Sequence, residues 1–225
     1  MRLTFIKKIT NKLKDIYIYL YFILNERKLF KDKYGLSYYI HKNTRPADTL
    51  RRGVRTDDTT VLVAINALIE QNLHLKNIHC IDVGAFIGVV TLMMIKALKK
   101  SNNIWKVHSF EPFEKTFNRL KENININTID INHIELNNFG LSDKSGNQKM
   151  VTSPYLPGEN KLVGKSSNGE EGVYEVEITT LDEYLNHRSI DHVLLCKIDA
   201  EGVDDLVMQG MKSYIKTMKV DYFIL

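Results

Sequence analysis

The sequence predicts an α/β fold, in which a mostly parallel sheet is covered by helices on both faces. Short apolar runs that suit buried strands alternate with segments of helical length, and this alternation is typical of parallel sheets. The first of these runs, residues 78–83, ends in a glycine turn. The 225 residues, 44% hydrophobic and 26% charged, suffice for one Rossmann-like domain with a short appendage.

The predicted elements follow in order along the chain. Apolar residues recur every three or four positions over the first thirty residues and predict a helix, whereas residues 34–55 predict loops or short strands. Residues 56–59 mark a further helix start, and residues 142–172 are expected to be rich in loops. We expect strands over 78–83, 105–110, 133–137, 173–179, 192–198 and 220–225, and helices over 61–73, 89–98, 112–124, 180–185 and 203–215.

The chain thus divides into an N-terminal segment, 1–55, and a domain, 56–225. The basic character belongs to the first part, because residues 1–33 hold nine Lys or Arg against three Asp or Glu. The predicted helix there carries one apolar stripe, so it either packs on its own domain or lies on a membrane surface or a partner protein. The stripe consists of Ile6, Ile9, Leu13, Ile16, Leu20 and Ile23.

The composition also excludes several classes of protein. The near-neutral domain lacks the basic face that nucleic-acid binding needs. The two cysteines, Cys80 and Cys196, are too few for a disulfide scaffold and are expected to be buried thiols. The longest apolar stretch, residues 16–24, is about half of a membrane span and has no cleavage site, which favours a cytoplasmic location.

The segment from Asp82 to Gly88 is the most informative. Gly84 permits the φ of a tight turn and lets the backbone approach a ligand, and Gly88 lets the next helix pack closely on the strand. The start of that helix directs free N–H groups into the crevice. Asp82 would repel a pyrophosphate, but it could order the turn or attract a cationic group of a ligand. The turn could also be purely structural.

Glu111 ends the second strand, 29 residues after Asp82. The carboxyl ends of the first two strands of a doubly wound sheet are adjacent, so an acid here can accept both hydroxyls of a ribose. The alternative is a glutamate that stabilises the next helix. We expect Asp82 and Glu111 to hold opposite ends of one ligand. Burial of either acid in an unrelated ion pair would contradict this.

Asp199 and Glu201 follow the strand predicted over 192–198. Residues two apart in an extended strand project to the same side, so both acids are expected to face the crevice beside the Asp82 turn. They could act as a general base or anchor a substrate hydroxyl, and Glu201 could instead be a first-turn acid of the next helix. Two carboxylates without a histidine at ligand spacing predict no metal site.

Six segments, in order and with suitable spacing, resemble the FkbM family of methyltransferases over the domain 56–225. The matching residues are Asp82-Val83-Gly84-Ala85 with Gly88, Phe110-Glu111-Pro112, Phe117 with Leu120 and Asn123, Leu141-Ser142-Asp143 with Gly146, Thr180-Leu181-Asp182, and Lys197-Ile198-Asp199 with Glu201-Gly202, Leu206 and Gly210.

The resemblance implies a class I methyltransferase fold that uses S-adenosylmethionine to methylate a hydroxyl of a glycan, a polyketide or a related metabolite. Asp199 would lie near the transferred methyl group, where it is our candidate general base, with Glu201 beside it. The resemblance further implies a methionine end lined by Asp82, Gly84, Ala85 and Gly88, a ribose held by Glu111, and an adenine near the turn of Leu141, Ser142 and Asp143.

Two features depart from the family. Phe86 stands where the family often has asparagine, which removes a polar contact and crowds the turn. The chain ends at Leu225, inside the expected fifth core strand, so we expect the C-terminal strands of the domain to be incomplete.

Two other functions fit parts of the pattern. An NAD-dependent oxidoreductase would share the fold, but its G-x-G-x-x-G turn would need glycine at the position of Phe86. A non-catalytic nucleotide-binding or interaction module, anchored through the basic N-terminal helix, is the other alternative.

Overall fold

The computed structural model describes residues 20–21, 24–42, 59–152, 160–162 and 172–225. Along this part of the chain the elements are β1 (Arg27–Lys31), β2 (Ser37–His41), α1 (Thr59–Gln71), β3 (Asn77–Val83), α2 (Val89–Leu98), β4 (Ile104–Phe110), α3 (Glu114–Ile126), a 3-10 turn (Ile131–His133), β5 (Ile134–Asn137), β6 (Gly140–Leu141), β7 (Gly146–Thr152), β8 (Asn160–Leu162), β9 (Gly172–Thr179), α4 (Leu181–His187), β10 (Val193–Ile198), α5 (Asp204–Gln209), α6 (Lys212–Lys216) and β11 (Val220–Ile224).

The central sheet has five parallel strands in the order β11-β10-β3-β4-β5. The chain moves outward from β3 through β4 to β5, and later returns to β10 on the other side of β3. The strand order therefore reverses between β3 and β10. In open α/β sheets, ligands bind outside the carboxyl ends of the strands at such a reversal.

Each face of this sheet has its own hydrophobic core, because successive side chains of a strand point to opposite faces. In β3, Cys80 belongs to the core that contains α1 and α2, whereas Ile81 belongs to the core that contains α4 and α6. Cys196 lies in the second core, and both cysteines are buried free thiols, as predicted. The α/β fold with a parallel sheet covered on both faces is thereby confirmed.

A hairpin of β1 and β2 precedes the central sheet. Its turn is built by Asp32, whose Oδ1 accepts hydrogen bonds from the backbone N–H groups of Tyr34 (2.8 Å) and Leu36 (2.9 Å), while Gly35 adopts a φ of +84°. The expected helix over the first thirty residues is therefore wrong at β1. Residues 20, 21 and 24 are helical, residues 25 and 26 are not, and residues 1–19, 22 and 23 lie outside the described residues.

A second, four-stranded sheet has the order β6-β9-β7-β8. Strand β9 was predicted, but β7 and β8 fall in the segment 142–172, which was expected to be rich in loops. Backbone pairing with β9 extends along the whole of β7, from Gly146 to Thr152, and provides the order that the local sequence does not indicate.

The helix predicted over 203–215 is divided into α5 and α6. Gly210 ends α5, and a Cβ at this position would lie 2.0 Å from the carbonyl oxygen of Ser142. The close approach of two backbones explains the glycine. The five strands predicted for the central sheet are confirmed to within one or two residues at each end, and so is α2. No helix among the described residues has the length and apolar character needed to cross a membrane.

Candidate active site

The loops that follow β3, β4 and β10 meet at the carboxyl edge of the central sheet. The backbone N–H groups of Gly84 and Ala85 both donate to the carbonyl oxygen of Phe110, at 3.0 and 2.9 Å. The N–H of Asp199 donates to the carbonyl oxygen of Val83, at 3.2 Å. Three segments that are distant in the sequence therefore share one hydrogen-bonded edge, as the sequence argument expected.

Gly84 begins the turn after β3 with a φ of +70°. A Cβ at this position would lie 2.0 Å from the carbonyl oxygen of Asp199, so the close approach that requires glycine is made by the loop after β10. Gly88 precedes α2 with a φ of +91°, and a Cβ there would meet the Leu120 side chain at 2.6 Å. Ala85 is buried. The turn is thus fixed by the protein itself and presents a defined backbone at the edge.

Phe86 occupies the left-handed region, with a φ of +50°. Glycine and asparagine adopt this conformation readily, whereas an aromatic residue does so at a cost of about 1–2 kcal/mol. The asparagine that the resemblance leads us to expect at this position would adopt the conformation more readily than Phe86 does. Phe86 is therefore a source of backbone strain within the turn.

Glu111 holds the turn from the neighbouring strand. Its Oε2 accepts a hydrogen bond from the N–H of Phe86 at 3.0 Å, and its Oε1 accepts one from the N–H of Phe113 at 3.1 Å. Asn138 supports the same loop by donating to the backbone carbonyl of Glu111, at 2.9 Å. The Glu111 side chain is almost completely removed from water, and this burial raises its pKa to about 7, against the two backbone hydrogen bonds that lower it.

Asp82 is fully buried beneath the turn. Its Oδ2 accepts a hydrogen bond of 2.6 Å from the Thr91 hydroxyl, which also lies 2.9 Å from the Ser109 hydroxyl. Lys197 Nζ lies 3.2 Å from Asp82 Oδ1, in an ion pair that lacks the alignment of a hydrogen bond. The prediction that Asp82 and Glu111 hold opposite ends of one ligand is therefore wrong for Asp82, because its carboxylate is buried in an ion pair with Lys197 and enclosed by α2 and β10.

Lys197 is the residue that the sequence argument did not assign to the site. Its Nζ donates to the carbonyl oxygens of Val83 (3.1 Å) and Gly84 (3.0 Å), and it lies 3.8 Å from Asp199 Oδ2. A lysine within the apolar run 193–198 was a signal for a buried ion pair, since lysine is rarely buried without a partner. Lys197 joins the end of β3, the turn and the loop after β10.

Asp199 and Glu201 differ in their surroundings. The Asp199 side chain is 68% exposed at the edge. The premise that both acids project from one extended strand does not hold, because β10 ends at Ile198 and Glu201 adopts a φ of +51°. Asp199 therefore lies exposed at the carboxyl edge beside Lys197, whereas Glu201 belongs to the turn that leads to α5.

The segment Leu141-Ser142-Asp143 lies at the start of the second sheet. Leu141 is buried in the core between the central sheet and α4, and the N–H of Ser142 donates to the carbonyl oxygen of Thr179 at 3.0 Å. The Ser142 hydroxyl, also buried, donates to Asp143 Oδ1 at 3.1 Å, while the Asp143 side chain is exposed. Of the three side chains, only that of Asp143 is directed to solvent.

A series of hydrogen-bonded polar side chains runs from β3 through β4 to α4. His79 Nδ1 lies 3.0 Å from His108 Nε2, and His108 Nδ1 lies 2.9 Å from the hydroxyl of Tyr184, to which Asn137 donates at 3.2 Å. Burial lowers the pKa of His108 to about 3, so this histidine is neutral. In the part of the chain that the structure describes, no three His, Cys, Asp or Glu side chains come together as metal ligands would.

Comparisons with known proteins identify the family to which the chain belongs. The crystal structure of methyltransferase FkbM from Methylobacillus flagellatus KT is similar over 77% of this chain, with 14% sequence identity and a TM-score of 0.46, and the chain spans 40% of that protein. The sequence matches no curated protein. Residues 82–224 match the methyltransferase FkbM domain. Because this match spans more than half of the sequence, the chain belongs to the FkbM family of methyltransferases.

Proposed function

We propose that the protein transfers a methyl group from S-adenosylmethionine to a hydroxyl of a small metabolite or glycan. The observation that carries the proposal is Glu111, a carboxyl group withdrawn from water at the carboxyl end of β4 and beside the glycine turn. This is the place where a doubly wound sheet binds the ribose of a nucleotide. Membership of a methyltransferase family supplies the reaction class.

The residues at the edge fit an adenosyl group. Each Glu111 oxygen accepts one backbone hydrogen bond and keeps a free lone pair, so the carboxylate can accept two more donors. A ribose offers two adjacent hydroxyl donors. Among the described residues, no lysine or arginine forms an ion pair with Glu111, and donors from a ligand would therefore stabilise its charged form.

The remaining contacts follow from this placement. We infer that the turn of Gly84, Ala85 and Gly88 lines the methionine end through its backbone, with Asp82 acting indirectly by holding Lys197 against the turn. The exposed Asp143, next to Leu141 and Ser142, would then border the adenine.

S-adenosylmethionine supplies a methyl group that is already activated by its sulfonium. The protein has to align the acceptor oxygen with that group, exclude water and take up the hydroxyl proton. Asp199 is our candidate base, because its carboxylate is open to the crevice and lies in the edge that the turn defines. Glu201 is the candidate anchor for the acceptor.

Calorimetric titration with S-adenosylmethionine and S-adenosylhomocysteine tests the cofactor. Glu111→Ala should abolish binding, whereas Glu114→Ala, which removes an exposed acid at the start of α3, should bind as the wild type does. Unchanged affinity in Glu111→Ala would refute the ribose assignment. Binding of NAD in place of both adenosyl compounds would favour the oxidoreductase instead.

Asp199→Asn separates catalysis from binding. With an acceptor identified from a panel of hydroxylated metabolites and glycans, turnover should fall by about 10²-fold or more while cofactor affinity is retained. Equal turnover by wild type and variant would reject Asp199 as the base.

A further inference from the structure

Asn123 forms hydrogen bonds with both the N-terminal hairpin and the glycine turn. It lies in α3 and is fully buried. Its Oδ1 accepts a hydrogen bond of 2.7 Å from the backbone N–H of Tyr39 in the N-terminal hairpin. Its Nδ2 donates to the carbonyl oxygen of Ile87, at 2.8 Å, inside the glycine turn. One amide thus uses its acceptor on the hairpin and its donor on the turn.

The hairpin is docked on α3 through its backbone. One helical turn after Asn123, the amide of Asn127 accepts from the N–H of Ser37 at 3.0 Å and donates to the carbonyl oxygen of the same residue at 2.7 Å. Arg27 of β1 also pairs with Glu122 of α3. Below these contacts, the hairpin residues Leu36, Tyr38 and Ile40 are buried in the core of the central sheet.

The same face of α3 also shapes the turn. Leu120, one helical turn before Asn123, fills the space that a side chain at Gly88 would need. The carbonyl of Ile87 belongs to the residue just before Gly88, and Asn123 fixes its direction. The orientation of this peptide influences which backbone groups face the edge where Glu111 holds Phe86.

We propose that Asn123 is a positioning residue that makes the shape of the glycine turn, and with it the affinity for the cofactor, depend on the docked hairpin. The proposal rests on the function proposed above. It assigns the hairpin a part in cofactor binding although none of its residues reaches the carboxyl edge through the contacts described. Asn127 contacts the hairpin at Ser37 and the backbone carbonyl of Asn123, but not the turn. In its alanine variant the Arg27–Glu122 pair and the buried hairpin residues still hold Tyr39 against Asn123, so it is the matched control.

The first experiment compares Asn123→Ala with Asn127→Ala in the full chain. Amide hydrogen exchange of residues 84–89, measured without ligand, should become about tenfold faster in Asn123→Ala and stay within threefold of wild type in Asn127→Ala. The dissociation constant for S-adenosylmethionine should rise about tenfold in the first variant only, which is the loss of roughly one hydrogen bond. Equal effects in both variants, or none in Asn123→Ala, would overturn the proposal.

Asn123→Asp provides a second test if the alanine variant does not fold. A protonated carboxyl keeps both hydrogen bonds, whereas the carboxylate loses the donor to Ile87. The ratio of variant to wild-type dissociation constants should therefore be near one at low pH and rise with pH, and a flat ratio would count against the proposal. If the wild type fails to bind S-adenosylmethionine, the proposed function fails, and the exchange rates alone decide whether Asn123 positions the turn.

Discussion

Replacing Lys197 with methionine keeps the length of the side chain and removes its charge. The variant loses two hydrogen bonds, to the carbonyl oxygens of Val83 and Gly84, and the ion pair with Asp82. Asp82 has no exposed surface and would keep only the Thr91 hydroxyl as a partner. A buried carboxylate would then remain without a compensating cation.

Breaking a buried ion pair by removing one partner costs about 3–5 kcal/mol. A typical domain is stable by about 5–15 kcal/mol, so Lys197→Met should lose a large part of its free energy of unfolding. Asp82→Asn should cost less, because Lys197 would keep two carbonyl acceptors. The double variant should recover about 2 kcal/mol or more relative to the sum of the single changes, since neither charge is then left alone.

Equilibrium unfolding in urea, followed by tryptophan fluorescence, measures these differences. Trp105 is the single tryptophan; it is buried in β4 and stacked on His133 with ring centroids 3.9 Å apart, so its emission reports on the central sheet. Lys219→Met, which breaks an exposed pair with Asp191, is the control and should cost less than about 1 kcal/mol. A Lys197→Met variant as stable as this control, or strictly additive single changes, would refute the reasoning.

Two further predictions concern the neighbouring turn. Because burial raises the pKa of Glu111 from 4.5 to about 7, the folded chain holds an extra proton between these values, and its free energy of unfolding should fall by roughly 3 kcal/mol as the pH rises through this window. In Glu111→Gln this pH-dependent loss should disappear, which is measured as the difference in the free energy of unfolding in urea between pH 4.5 and pH 8. Phe86→Asn should raise stability by about 1 kcal/mol, since asparagine tolerates a φ of +50°. Thermal unfolding compares this variant with Phe86→Ala, which keeps the backbone strain and should be no more stable than the wild type. An equal gain in stability in both variants would exclude backbone strain as the cause.

The local sequence was sufficient for the strands and turns of the central sheet. Each buried strand there is a short apolar run that ends in a turn or in a polar residue, as at Val83 and Phe110. The carboxyl edge followed from the order of these runs, because parallel strands bring their ends together. The residues Asp32 and Gly35 are typical of a turn and indicate the one that creates the N-terminal hairpin. The apolar periodicity before them nevertheless led to a predicted helix that wrongly included β1.

The local sequence could not predict contacts between segments that are distant along the chain. Lys197 and Asp82 face each other because β10 and β3 pair in one particular register, and a shift of one residue would turn one of them to the other face. The chain between them is 114 residues long. The same holds for Asn123, whose partners lie in β2 and in the glycine turn. A sequence shows such residues but not which of them meet.

The two acids that the sequence placed together at the edge now have separate roles, and the difference lies in their counter-charges. Asp82 Oδ1 lies 3.2 Å from Lys197 Nζ, so its charge is balanced within the fold and its role is structural. Glu111 is almost as deeply buried but has only two backbone N–H groups as partners, and burial raises its pKa because these hydrogen bonds do not fully compensate for the loss of water. An acid left in this state gains most from further donors. For that reason we propose that Glu111, and not Asp82, recognises a ribose, whereas Asp82 and Lys197 fix the shape of the turn.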